Sequence, residues 1–171
     1  MKPVRRAHLA ACLTLLLCPA AFGQTPKAAP PSLSLSVGGE VERPLKLSAP
    51  DWAKLPRRTL KAKDHDGKEA TFEGVALYEV LKLAGVPFGE QLRGRQIALF
   101  LLVEAADGYK AVFALPELDP AYTDRNIILA DRRDDAPLSE KEGRLRVVVP
   151  DEKRQARWVR QVVSLTIRRA E

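Results

Sequence analysis

Beyond residue 23 the chain has one histidine, His65, and no cysteine; Cys12 and Cys18 both fall ahead of that point. From residue 24 onward the sequence therefore excludes a zinc–thiolate site, an iron–sulfur cluster, a disulfide and a cysteine nucleophile, and with one histidine also a two-histidine metal site and most catalytic triads. Four residues have a spacing that suits metal chemistry. Asp64, Asp66, Gly67 and Glu73 match positions 3, 5, 6 and 12 of a calcium-binding loop. Position 1 of that pattern is Ala62, which has no side-chain oxygen, and the flanks read as strands. The segment is better read as an acidic hairpin tip with Gly67 in the left-handed conformation and His65 as a solvated turn residue. Asp134-Asp135 likewise suggests only a turn. The remaining chemical signal is charge. The chain carries 28 Lys+Arg against 22 Asp+Glu, and the excess gathers at the end. Residues 143–171 contain Arg144, Arg146, Lys153, Arg154, Arg157, Arg160, Arg168 and Arg169 against Asp151, Glu152 and Glu171. Such a surface attracts an anion such as phosphate, sulfate or an acidic partner; the simpler reading is a solvated face that keeps the domain soluble. Nucleic-acid binding is excluded by the expected export and by the lack of aromatic residues interleaved with the basic ones.

These residues must be positioned by a small set of elements. Leu33 to Val37 alternates and is interrupted by Gly38-Gly39, which suits a strand with a bulge or turn. Ser48-Ala49-Pro50-Asp51 begins a short helix through Leu55: Ser48 caps a free N–H, proline fits the first turn and Asp51 complements the positive helix end. Arg58 to Lys63 and Glu69 to Phe72 form a hairpin around the acidic tip. The clearest helix is Val75 to Ala84, with Leu77, Val80, Leu81 and Ala84 on one stripe and Gly85 where a left-handed C-terminal residue belongs. Ile97 to Val103 is wholly apolar and reads as a central strand buried on both faces. Asp107-Gly108 turns the chain back into Tyr109 to Leu115. Asn126 to Ala130 and Leu145 to Val149 are further strands around a charged loop, Asp131 to Gly143. Arg157 to Arg168 holds one helical turn and a last strand. Strands outnumber helices and pair through turns, so the class is α+β with a mixed or antiparallel sheet and a few short helices.

The first 23 residues read as a secretory signal peptide: Lys2, Arg5 and Arg6 precede the apolar run Leu9 to Ala21, and Ala21-Phe22-Gly23 is a small-x-small cleavage site. The run is too short to span a bilayer, so no membrane span is expected after signal removal. Leu17 ahead of Cys18 argues against lipoprotein processing. Arg5-Arg6 resembles a twin-arginine export motif, but His8 sits where an apolar residue is favoured, and the leucine-rich run fits general secretion. Residues 24–32 are a Pro/Ala-rich flexible lead-in, and 33–171 form one domain. The expected location is periplasmic or secreted, from a bacterium.

The segments LSVGGEVERPLKLSAPDWAKLP, GVALYEVLKLAGVP, ADGYKAVFAL, NIILADRRDDAPLSEKEGRLRVVVP and ARWVRQVVSLTI, in that order, resemble the molybdopterin-binding oxidoreductase domain of the sulfite oxidase family over about residues 34–168. The resemblance implies a sulfite-oxidase-type fold around a molybdenum–pyranopterin cofactor, with the metal held by one cysteine thiolate and used for oxygen-atom transfer or a related two-electron reaction. That cysteine would lie near Arg58 to Asp66, where this chain has none. The family also places a glycine-containing loop, a basic residue and Trp after the "VVP" strand to hold the cofactor's phosphate. Here Pro150 is followed by DEKRQARW: Arg157-Trp158 resembles the end of that motif, and no glycine precedes it.

The candidate cofactor-binding residues carried over are thus Arg146, Arg157, Trp158, Asp107 and Tyr109, with no catalytic residue and no metal ligand. For Asp107 the turn alone explains the residue, and Trp158 and Phe113 also fit a core role. Two functions follow. In the first, the thiolate is lost, no cofactor is bound, and the chain is a degenerate, non-catalytic binding or accessory module for an anionic small ligand or a periplasmic protein partner. In the alternative, molybdopterin is bound through Arg146, Arg157 and backbone amides, and the chain is an oxidoreductase for a small oxyanion or oxide with no protein thiolate on the metal.

Overall fold

The computed structural model describes residues 32–171; the leader, its cleavage site and the lead-in up to residue 31 lie outside the described residues. Two five-stranded sheets supply one apolar core. In the first, β1 (Ser34–Gly39) and β2 (Leu45–Ser48) are antiparallel, β10 (Val162–Arg169) runs parallel beside β1, and β5 (Leu99–Ala105) and β6 (Lys110–Ala114) continue antiparallel. In the second, β3 (Arg57–Lys63), β4 (Glu69–Ala76), β7 (Ile128–Arg133) and β8 (Ala136–Pro137) follow in order, and β9 (Arg146–Val148) also pairs with β7. The parallel β1–β10 pair makes the first sheet mixed, so the α+β class with mixed and antiparallel sheets holds.

The local signals explain most boundaries. α1 (Ala49–Trp52) starts after Ser48 as expected but ends at Trp52 rather than running through Leu55; Ser48 donates to the Asp51 carboxylate from both its amide (3.1 Å) and its hydroxyl (2.5 Å), and Asp51's carboxyl is held below its ordinary value by those bonds. α2 (Leu77–Leu83) presents Leu77, Val80 and Leu81 to the core, all fully buried, with Ala84 beside them. Gly85 follows at φ 78° and its amide reaches the Lys82 carbonyl, closing the helix end.

Four further expectations change, and β2 forms a strand where the sequence marked none. The helix is shorter at its start, because Val75 and Ala76 extend β4 and pair with Leu129 and Ile128. β5 alternates between buried and half-buried residues, so it covers the core with one face only, and Ile97 lies outside it in a 3-10 turn with 46% exposure. A continuous apolar run carries no phase, which is why it misled. The charged loop contains a hairpin. Asp134 and Asp135, at φ 48° and 61°, make a two-residue turn between β7 and β8, with short polar side chains that tolerate this conformation. Finally, Asp64 is not at a solvated tip: it is 4% exposed.

Gly74 sets the spacing of the second sheet. The β4–β7 register shifts between Glu73 and Gly74, and a Cβ at residue 74 would lie 2.2 Å from the Leu129 carbonyl oxygen. Gly74→Ala must therefore push β7 away from β4. It is expected to lower the unfolding free energy by about 2 kcal/mol or more, measured as a shift of the urea midpoint at unchanged slope.

Candidate functional site

β9 carries Arg146 into the centre of the domain, where its side chain has no exposure. The flat guanidinium lies against two aromatic rings, 5.3 Å from the Phe72 centroid and 5.1 Å from that of Trp158, and those rings meet edge to face at 5.7 Å. Arginine suits this position because its weakly hydrated plane stacks on rings while its edge remains free for hydrogen bonds. That edge is taken by carboxylates. Arg146 Nη2 donates to Asp64 Oδ1 at 2.5 Å, and Nη1 donates to Asp64 Oδ2 at 3.1 Å and Glu142 Oε1 at 2.6 Å. Its Nε is buried without a partner.

Each partner is fixed in turn. Asp64 begins the turn between β3 and β4, and its oxygens also accept from Arg133 Nη1 at 2.6 Å and from the His65 amide at 2.8 Å. Glu142 accepts from the Ser139 hydroxyl at 2.7 Å and the Ser139 amide at 3.2 Å. Trp158 is tied through its indole N–H to the Val149 carbonyl, 2.9 Å away. Burial pushes the Asp64 carboxyl up, but the hydrogen bonds from Arg146 and the His65 amide, with the charges of Arg146 and Arg133, outweigh it and bring the group down to about 2. Glu142 also titrates below its ordinary range: burial opposes this, and the bonds from Ser139 and Arg146 prevail.

The other carried-over residues stand at the β5–β6 end. Asp107 accepts from the Tyr109 amide at 2.9 Å and so stabilises its own turn. Tyr109, half exposed, donates its hydroxyl to the Ala156 carbonyl at 2.7 Å. Arg157 covers the Phe113 ring at 4.5 Å, and its guanidinium is engaged by Glu117 (2.9 Å) and by Glu152. Arg157 and Trp158, adjacent in the chain, thus turn to different neighbours: the structure unites Trp158 with Arg146, and Arg157 with β6. Of the residues that complete the Arg146 cluster, Asp64 was visible as part of an acidic turn, whereas Phe72, Arg133 and Glu142 were not singled out. Glu142 stands four residues before Arg146, but in a loop, so no helical spacing marked it.

A concave region of about 560 Å³ lies elsewhere. Trp52, Arg57, Glu73 and Asp131 line it, and Arg57 is already paired with Asp131 (2.5 Å) and Glu73 (3.0 Å).

With the geometry in hand, comparison with known proteins gives the class. A family model described as the oxidoreductase molybdopterin binding domain matches residues 22–171, and the chain belongs to that family. The fold also matches the crystal structure of the sulfane dehydrogenase SoxCD from Paracoccus pantotrophus. The TM-score is 0.64 at 22% identity, over 78% of this chain and 37% of that one. The chain thus spans well under half the length of that dehydrogenase chain. The comparison with curated proteins gave no match.

The family's cofactor can be tested against the donors present. Between Arg58 and Asp66 the side chains with donor atoms for a metal are Thr59, Lys61, Lys63, Asp64, His65 and Asp66, and both Asp64 oxygens are held by guanidinium groups. Among the described residues no three His, Cys, Asp or Glu side chains gather as a metal site. Molybdenum that cycles its charge calls for a soft ligand, which none of these supplies. Both candidate phosphate anchors, Arg146 and Arg157, are neutralised by carboxylates. The residues present do not fit the group as the family holds it.

Because the Asp64 carboxyl titrates lower in the folded protein than in the unfolded chain, its contribution is fully present above about pH 4 and disappears as the pH falls toward 2. Asp64→Asn is expected to cost about 3 kcal/mol at pH 7 and to flatten the loss of stability that wild type shows between pH 4 and pH 2. Urea titrations across that range would check both.

Proposed function

We propose that this chain is a secreted, periplasmic, non-catalytic member of the molybdopterin-binding oxidoreductase domain family, working as a binding or accessory module for an anionic small ligand or a periplasmic protein partner. One observation carries the reading. In the segment to which the family resemblance assigns the metal's thiolate, this chain has a carboxylate, Asp64, locked onto Arg146 and Arg133. An ion pair closed in this way offers neither a soft ligand for a redox metal nor a spare cation for a pterin phosphate. The described residues contain no helix long and apolar enough to cross a membrane. The leader's basic start, apolar run and small-x-small site support export, and its leucine-rich run suits passage of an unfolded chain.

Protein recovered from its native periplasm is expected to contain neither stoichiometric molybdenum nor pterin, measured by elemental analysis and by fluorescence of the oxidised pterin. Finding both at one per chain would overturn the reading. Replacing Arg5 and Arg6 together by lysine is expected to leave export unchanged, scored by cell fractionation, because general secretion needs only a positive start.

A further inference from the structure

β3 is the outermost strand of the second sheet, and among the described residues it pairs only with β4. Which of its main-chain groups face outward follows from the turn. The Asp64 amide donates across the hairpin to the Lys68 carbonyl at 2.9 Å, so alternation along the ladder places Ala62, Leu60 and Arg58 in the bonded positions. The amides and carbonyls of Thr59, Lys61 and Lys63 therefore point away from β4. Two contacts agree with this phase. Thr71, opposite Lys61, bonds to Asp134 on its far side, and the Lys63 carbonyl accepts from the Gln155 side chain at 3.1 Å on the open side. For Thr59 and Lys61 the described residues supply no main-chain partner there. β6, at the rim of the first sheet, is different: Arg157 donates to its Val112 carbonyl at 3.3 Å, and its Ala114 amide donates to Glu117 at 3.0 Å. The side chains give the open edge two faces. Thr59, Lys61 and Lys63 are exposed on one, where Lys61 reaches only Glu69, at 3.9 Å with both side chains well exposed. Leu60 and Ala62, on the other face, are half-buried and carry the core out to the rim. Gln155 brings Lys153 and Arg154, both exposed, to the Lys63 end of the strand.

We propose that β3 is a docking edge for an extended acidic segment of a partner protein, which adds to the second sheet as a further strand. Its carboxylates lie beside Lys61 and Lys63, and its apolar side chains, alternating with them, lie beside Leu60 and Ala62. The native chain offers this edge as it stands, with no segment to displace. Charge selects the occupant. Edge lysines discourage pairing with another basic strand, and a second copy of β3 would set basic side chains against one another. The chain's own residues 24–31 hold Lys27, no acid, and Pro26, Pro30 and Pro31, which have no amide to donate. This deepens the reading given above by naming the chemistry of its protein partner, and rests on it only in taking the chain to be a binding module.

The test uses a capped peptide as long as β3 that alternates glutamate and valine, titrated into the full chain and followed by NMR. The amides of Thr59 and Lys61 are expected to shift and to exchange more slowly with deuterium on binding, while those of Leu60 and Ala62, already in the ladder, keep their protection. An analogue with lysine in place of glutamate should bind at least about tenfold more weakly. Two further analogues carry N-methyl groups, one on its glutamates and one on its valines. One of them should bind and the other should not, since only every second amide of an added strand faces the edge. Replacing both lysines, Lys61→Glu with Lys63→Glu, should reverse the preference between the glutamate and lysine peptides, with thermal melting showing that the variant is folded. The proposal is overturned if the glutamate peptide does not bind, if the lysine peptide binds as well, if both N-methyl analogues behave alike, if the shifts fall away from β3, or if the chain self-associates through β3. Molybdenum found in the native protein would defeat the earlier reading by a separate measurement, without altering which peptide binds.

Discussion

A guanidinium sealed from water must have its charge met inside the protein, and the arrangement around Arg146 follows from that demand. Removing an ion from water costs several kcal/mol, and only close, well-directed partners offset the cost. Here the faces of the cation are met by Phe72 and Trp158 and its edge by Asp64 and Glu142. These partners come from β4, from the stretch after the last 3-10 turn, from the β3–β4 turn and from the loop before β9. Satisfying one charge therefore fixes four separate segments, and Arg133 adds β7 through the same carboxylate.

This arrangement separates fold from chemistry. At 22% identity the backbone still follows a sulfane dehydrogenase with a TM-score of 0.64, since the alternation of buried residues and the strand order require only apolar side chains at the right faces. The chemistry of a site depends on a few donor atoms, which can change without disturbing those faces. In this chain the donors near the β3–β4 turn include no sulfur, and both oxygens of the buried one, Asp64, are engaged by guanidinium groups. Part of the basic excess of the last residues is met within the domain: Arg146 and Arg157 are matched by acids from earlier in the chain, and Arg169 is matched by Glu40, while Lys153, Arg154, Arg160 and Arg168 stay exposed.

Much of the framework was legible in the sequence. The start at Ser48, the apolar stripe of α2, the Asp107-Gly108 turn and the succession of strands along the chain other than β2 and β8 arise from local rules, in which neighbouring residues decide the conformation. The Arg146 cluster was only partly legible. Arg146 and Trp158 entered through family resemblance, and Asp64 through its turn, but their mutual contact joins positions 82 residues apart, which periodicity cannot connect. The apolar run from Ile97 failed for a related reason. A strand with one half-buried face can be apolar on both sides, and the sequence holds no mark of which neighbours will cover it.

The parallel pairing of β1 with β10 also bears on synthesis. β1 is the first described strand, yet its inner neighbour is made of residues 162–169, which leave the ribosome more than a hundred residues later. Until then the first sheet lacks its middle, and Leu35 and Val37 have no Leu165 or Ile167 to pack beside. Such long-range closure slows folding. A growing chain of this topology cannot complete its first sheet until its last strand emerges, although every strand of the second sheet is made before then.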